Sequence, residues 1–344
     1  MENLCPICRL IIGLLMCYNE TNTERRGEMD TFLPMLGIVL LFAALLVPGF
    51  VLGKAGAVRG ESMLSFSNIL MYVAMPFLVF SKLLEIDLTT IGLTEILVSA
   101  LLPIVLELLL LLVCRLVFRG KASRSRAATF CSIFPNCGFL GIPLAAAMWP
   151  QKPEIVLYIS IFNVVSTFLL LTLGVYVLSG DKKAISLKKT LISPIFFAIV
   201  LGVIASLLDI HEHWSSVSTY AVTLAQLTTP LAMISLGYEL SKLNLLKMWA
   251  NAGVYLTSFI KLILSPLLTI GFLALLKLVF RVELGDSVAS AMLVATAVST
   301  AASAPSMAKK YDADSEYTAT LTLANTLLCI VTLPLIYTLL EVIF

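Results

Sequence analysis

Two stretches of this chain, residues 32–53 and 155–178, contain not one charged side chain. About 20 apolar residues in a helix cross the ~30 Å hydrocarbon core of a bilayer. With no water there, backbone polar groups must bond within their own segment, so such stretches are helices rather than open strands. Composition agrees: of 344 residues, 59% are hydrophobic and 13% charged, against about 45–50% and about 25% in soluble domains. A water-soluble globule is excluded, and a net charge of +2 makes no case for nucleic acid.

Apolar runs between charged or Gly/Pro-rich breaks give ten spans. The first five are 32–53, 63–84, 92–118, 127–149 and 154–179. The second five are 191–210, 216–241, 248–280, 285–308 and 317–343. Alternation puts the loops 54–61, 119–126, 180–190, 242–247 and 306–316 on one side, and they hold fourteen Lys and Arg. The four opposite loops hold Lys152 and Arg281. Counting helix ends changes the ratio to fifteen against four, which still makes the basic side cytoplasmic. The expectation is a plasma-membrane protein with both termini outside. Arg25 and Arg26 fall on the wrong side, beside Glu20, Glu24, Glu28 and Asp30.

The first 30 residues read as an N-terminal extension. Leu10 to Met16 is too short to span, and no small-residue cleavage site follows it. Met29, just before the first full span, is the expected native start. Cys5 and Cys8 form a CxxC with no second pair, and Cys114, Cys131, Cys137 and Cys329 lie in apolar runs, so no metal site is read. His211 and His213 share a polar loop, leaving no histidine as a buried proton relay.

An internal repeat divides the chain. Pro76, Ser81 and Glu85 return as Pro230, Ser235 and Glu239, and Glu107 maps onto Lys261, at a constant offset of 154. Pro143 and Asn163 return as Pro305 and Asn325 at an offset of 162. Residues 31–180 and 181–344 are then two five-helix repeats. Five is odd, so the second enters the membrane inverted, as in many secondary transporters, whose sites lie at midplane among broken helices.

Spans four and nine carry such breaks. Phe134 to Pro143 holds two prolines and two glycines in mid-span, and Ser299 to Ser306 is small or hydroxylated around Pro305. Proline removes a helical hydrogen bond and clashes with the preceding turn. Small residues let a second backbone approach. Crossing at their breaks, the two would present unpaired amides and carbonyls with Asn136 and Ser303, and half-helix N-termini favour an anion. A plain kink in each helix is the alternative.

Glu107 and Lys261 sit mid-span, where ionisable groups mark a pathway or a pair. They are either a structural ion pair between spans three and eight, or a proton-carrying carboxylate and an anion contact. Asn163 and Asn325, each with donors and an acceptor, suit substrate recognition or helix–helix bonding equally. Asn68 reads as helix–helix glue, and Glu85 and Glu239 as solvated helix ends.

Asn136-Cys137-Gly138-Phe139-Leu140-Gly141-Ile142-Pro143 resembles the fourth-helix signature of the auxin efflux carrier family of membrane transporters. Pro230 to Gly237 resembles its seventh-helix motif and Ala301 to Pro305 its ninth-helix break. The resemblance covers residues 30–344. It implies an all-α polytopic membrane protein of ten helices in two inverted repeats, similar to bile acid/sodium symporters. Spans one, two, six and seven would form a scaffold that makes a homodimer; the other six would form a moving transport domain. Carried over by position, the substrate crossover corresponds to Asn136, Gly138, Gly141 and Pro143 with Ser303, Ala304 and Pro305. Asn163, Asn325 and Lys261 join it from the residue reading, with Glu107 as the proton-coupling candidate. The short central loop, 180–190, fits a bacterial-type carrier of malate- or malonate-like acids rather than an auxin carrier.

The expected function is secondary transport of a small organic anion by elevator-like alternating access. No Walker A, HExxH or GxSxG pattern supports an enzyme. A membrane receptor or sensor on the same fold is the alternative, and a channel a third reading. No cofactor is expected; the residues leave coupling to protons, to sodium or to neither open.

Overall fold

The computed structural model describes residues 32–58, 60–86, 91–120, 122–181, 194–208, 215–242, 248–279, 281 and 284–343. The N-terminal extension with Met29, Cys5 and Cys8, nearly all of the central loop, and His211 and His213 lie outside the described residues. Among the described residues thirteen helices follow one another. They are α1 (Phe32–Lys54), α2 (Gly60–Ile69, a π-helical turn Leu70–Ala74, then Met75–Leu83), α3 (Leu93–Val117) and α4 (Ser123–Ile133). Next come α5 (a π turn Cys137–Gly141, then Ile142–Met148), α6 (Pro153–Leu169, a π turn Leu170–Gly174, then Val175–Ser179) and α7 (Pro194–Leu207). The rest are α8 (Ser215–Ala225), α9 (Thr228–Ser241), α10 (Ala252–Phe259, a π turn Ile260–Leu264, then Ser265–Leu278), α11 (Asp286–Ala297), α12 (Ala304–Lys310) and α13 (Ser315–Ile343).

Among the described residues, seven segments are long and apolar enough to cross a membrane, and Cys137–Met148, Pro194–Leu207 and Asp286–Ala297 are shorter apolar helices. Seven of the ten spans read from the sequence match the long segments; spans four, six and nine fall on the shorter helices, and spans four, seven and nine are each divided into two helices.

Three of the π turns have a local cause. Pro76, Pro143 and Pro266 each stand two residues beyond a π turn, so the carbonyl four residues before the proline is the middle of that turn. A proline offers that carbonyl no N–H and crowds it with its ring. The helix responds by widening. The residue before each proline donates five residues back instead: Met75 to Leu70, Ile142 to Cys137 and Ser265 to Ile260. Pro48, Pro103 and Pro334 lie inside α1, α3 and α13 without a π turn. The fourth π turn follows no proline; it ends at Gly174, where a Cβ would lie 2.8 Å from the Phe130 ring.

Packing sorts the helices into two groups. In the first, α9 lies along α1, and α7 and α8 lie along α2. The α1–α9 contact is backbone on backbone: a Cβ at Gly49 would fall 2.0 Å from the Ile234 carbonyl oxygen, and one at Gly237 1.9 Å from that of Leu46. Small residues spaced by four make such approaches possible in lipid, and Gly53, four after Gly49, abuts the side chain of Ser241. The second group is α3 to α6 with α10 to α13, in which α6 packs on α3 and α11, and α13 on α10, α11 and α12. Between the groups lies an apolar cleft lined from α1 by Val39, Phe42 and Leu46, and from the other side by Leu144, Ile330 and Leu333.

Among the described residues, several hydrogen bonds join distant helices within the second group, and they sort the loops. At one end, Arg124 pairs with Asp314 at 3.2 Å, and Arg126 donates to the carbonyls of Asp312 (3.0 Å) and Leu178. At the other, Glu95 accepts from Tyr158 and from the Gly285 amide, and Ser287 donates to Glu154 (2.7 Å). The loops expected on the basic side thus meet at one end of this group. Outward-facing Leu93, Leu97, Leu101, Leu108, Leu112 and Leu116 of α3 form the stripe a lipid-facing helix presents.

Candidate functional site

The breaks of spans four and nine face each other. The chain is extended at 134–136, between α4 and α5, and irregular at 298–303, between α11 and α12. Pro135 and Thr300 form an antiparallel β-bridge, in which the Asn136 amide donates to the Ser299 carbonyl (2.8 Å) and the Ala301 amide to the Phe134 carbonyl (2.9 Å). Two amides and two carbonyls released by the breaks therefore satisfy one another, where the sequence had suggested they would be left unpaired. An unmet amide or carbonyl at this depth is costly, and a two-residue ladder removes that cost. Ser299 and Thr300 make the contact. Ser303 lies further on, at the N-cap of α12.

Side chains extend the junction. Thr300 donates to the Cys131 carbonyl at the end of α4 (2.6 Å) and accepts from Asn325 Nδ2 (2.7 Å), while Ser258 of α10 donates to Asn325 Oδ1 (2.5 Å). Asn325 is fully buried and committed to helix–helix bonding. Asn163, its counterpart, lies beside Gly138, where a Cβ would be 3.5 Å from Asn163 Oδ1 and 3.0 Å from Met75 Cε. It makes no hydrogen bond to another described residue. Gly138 is thus the narrow point between α5, α6 and α2. Gly141 is close-packed too, with a Cβ 3.1 Å from Ile159. Pro305 occupies the first turn of α12, where a missing N–H costs nothing, and Pro143 follows the π turn that opens α5.

The end of α11 is closed by side chains. An α-helix leaves its last four carbonyls without intrahelical partners. Here Val294 accepts from the Val298 amide (3.2 Å), Ala295 from the Cys137 thiol (3.1 Å), Thr296 from Lys261 Nζ (3.1 Å) and Ala297 from the Cys329 thiol (3.5 Å). Lys261 is 1% exposed. Glu107, as deeply buried, accepts from Ser166 through Oε1, and its Oε2 has no hydrogen-bond partner. The two charged groups lie within electrostatic reach of each other. Yet the ion pairs within 4.0 Å among the described residues are Lys82–Glu85, Arg124–Asp314 and Lys242–Glu239. The structural Glu107–Lys261 pair is therefore not formed. Glu85 and Glu239 are helix-end ion pairs, and Asn68 is exposed on α2 rather than bonded to a neighbouring helix.

The structure brings Asn136, Gly138, Asn163, Lys261 and Asn325 around one junction. Asn136 is 4% exposed and its Nδ2 has no partner. The first amides of α5 follow directly, and helix-opening amides have no intrahelical acceptor. That corner sets one side-chain amide beside a half-helix N-terminus, an arrangement that favours an anion. Among the described residues no group of three or more His, Cys, Asp or Glu could hold a metal ion. Sequence reasoning passed over Thr300, Ser258, Ser166 and Thr296. Thr300 carried a signal, a hydroxyl within the small-residue break; the other three gain a role only from what packs on them.

A family model described as a membrane transport protein matches residues 34–187 and 182–337. The chain is similar to a protein of Methanothermobacter thermautotrophicus described as an uncharacterized transporter, 28% identical over 90% of this chain and 97% of that one. It is also similar to an uncharacterized transporter of Methanocaldococcus jannaschii, 27% identical over 67% of this chain and 76% of that one.

Proposed function

We propose that this chain, which belongs to the membrane transport protein family of auxin efflux carriers, is a secondary transporter of small organic anions working by elevator-type alternating access. One observation carries the reading: two interrupted spans joined at their breaks by the Pro135–Thr300 bridge. Substrate and ion sites of inverted-repeat transporters lie at such discontinuities near midplane. In this reading the substrate carboxylate accepts from Asn136 Nδ2 and the opening amides of α5, beside Gly138 and Asn163. Lys261 contributes positive charge from behind the α11 end, and Glu107 carries the coupled proton. The α12 N-terminus with Ser303, Ala304 and Pro305 forms the opposite wall, and Gly141 and Pro143 hold α5 in place.

The elevator motion has support in how the two groups meet. Val39, Phe42 and Leu46 face Leu144, Ile330 and Leu333, so sliding exchanges one apolar contact for another. Breaking a buried hydrogen bond costs about 1–3 kcal/mol; greasy contacts exact no such step. The group of α1, α2 and α7 to α9 would be the static, dimer-forming part.

Counterflow of radiolabelled malonate or malate in proteoliposomes tests the proposal. Wild-type protein accumulates label against an unlabelled internal pool. Asn136→Ala loses one hydrogen bond to a charged ligand, about 1.5–3 kcal/mol, hence about tenfold or more in apparent affinity. Saturable binding without accumulation would sink the transport reading in favour of a receptor on the same fold.

A further inference from the structure

The two repeats treat their matching asparagines differently. In the second half, Asn325 donates to the Thr300 hydroxyl (2.7 Å) and accepts from Ser258 (2.5 Å). The offset of 162 that carries Asn163 onto Asn325 carries Gly138 onto Thr300. The offset of 154 that carries Glu107 onto Lys261 carries Ile104 onto Ser258. Both partners of the amide are therefore missing from the first half. Asn163 is 9% exposed and has no hydrogen-bond partner among the described residues. A buried amide left unmet is costly. Both of its ends border the gap, since a Cβ on Gly138 would stand 3.5 Å from Asn163 Oδ1 and 4.0 Å from Nδ2. The backbone does not call for glycine here: Gly138 lies in the π turn, with φ outside the left-handed region. A side chain there would first meet Met75 Cε, at 3.0 Å, the far end of an unbranched chain that can swing aside. Gly138 and Asn163 belong to the second group of helices and Met75 to the first, so the gap lies on the boundary between them.

We propose that Gly138 and Asn163 form a subsite for a second oxygen of the substrate, which accepts from Asn163 Nδ2 as the Thr300 hydroxyl accepts from Asn325. The proposal rests on the anion reading above and narrows its substrate class. Asn136 takes the first carboxylate, and two residues of chain reach at most about 7 Å, so Gly138 sets the second acceptor within the length of a short acid. The class selected carries a second carboxylate or hydroxyl. A monocarboxylate of equal length leaves the Asn163 amide unpaired, and a site built to hydrogen-bond a group rejects the analogue that lacks it.

The test is thermal unfolding in detergent, titrated with malonate and with propionate, the same carbon chain with one carboxylate. Malonate stabilises wild-type protein at lower concentration than propionate does. Asn163→Ala weakens the malonate response about tenfold, as expected for one hydrogen bond to a charged ligand, and leaves the propionate response where it was. Gly138→Ser restores the missing hydroxyl. It melts higher than wild type without ligand, loses that gain when Asn163→Ala is added, and no longer prefers malonate. Malonate and propionate acting alike on wild type overturns the proposal, as does an Asn163→Ala protein that keeps the preference. Asn163→Ala decides the matter even if Gly138→Ser fails to fold. Asn136→Ala reports on the anion reading separately: an undiminished response to both acids removes that reading and leaves the Asn163 comparison intact.

Discussion

At the scale of single residues, Asn163 and Asn325 show how position in a repeat and role in a structure diverge. Both are mid-span amides at matching places. Asn325 is held by Ser258 and Thr300, whereas Asn163 lies beside Gly138 without a hydrogen-bond partner among the described residues. The difference is invisible locally, because Ser258 and Thr300 reach Asn325 from elsewhere in the chain. Thr300→Val removes one hydroxyl serving two bonds and strands the Cys131 carbonyl and the Asn325 amide. An unmet buried group costs about 1–3 kcal/mol, so the melting temperature falls by several degrees while Asn163→Ala leaves it nearly unchanged. Glu107 lends itself to a functional measurement. Its unpartnered Oε2 in a 1% exposed site is an open position for a proton. Uptake by wild-type proteoliposomes rises as the outside is acidified; Glu107→Gln transports at a rate flat with pH. A pH-dependent Glu107→Gln protein would remove the proton role.

At the scale of elements, the spans could be read off the chain because lipid admits few alternatives: an uncharged run of twenty residues has little choice but helix. The breaks were legible too, since Pro135 and Pro143 cannot sit within an undisturbed helix. Their mutual pairing was not. The Pro135–Thr300 bridge joins segments distant in sequence, and nothing around Phe134 announces that Ser299 will accept from Asn136. The π turns fall between, a plain consequence of Pro76, Pro143 and Pro266 once the geometry is seen, but not distinguishable beforehand from Pro48 or Pro103, which leave their helices α. Glycines of α9 and α1 give a paired test. Gly237→Val drives a side chain into the Leu46 carbonyl, and overpacking of this kind costs about 1–3 kcal/mol or more. It lowers the melting temperature and the monodisperse yield. Gly37→Ala, with nothing within 4 Å of its new Cβ, is neutral or slightly stabilising because alanine favours helix by up to about 1 kcal/mol.

At the scale of the whole molecule, two groups of helices share a face of leucine, valine and phenylalanine. The proposed elevator reading requires them to move past one another along it. In a background without other reactive cysteines, a short bismaleimide across Leu46→Cys and Leu333→Cys ties α1 to α13. Counterflow stops, yet the malonate-induced rise in melting temperature persists. Loss of both indicates a collapsed site, and unimpeded counterflow means that the groups do not slide past one another.

The close seat of Gly237 on α1 also bears on how the chain is made. α1 is synthesised well before its backbone partner α9, with α2 to α8 between them. Its glycine face therefore stays uncovered by α9 until the second half has been made. Ribosome stalling just before Gly237 should catch that intermediate, with Gly49 and Gly53 still undocked.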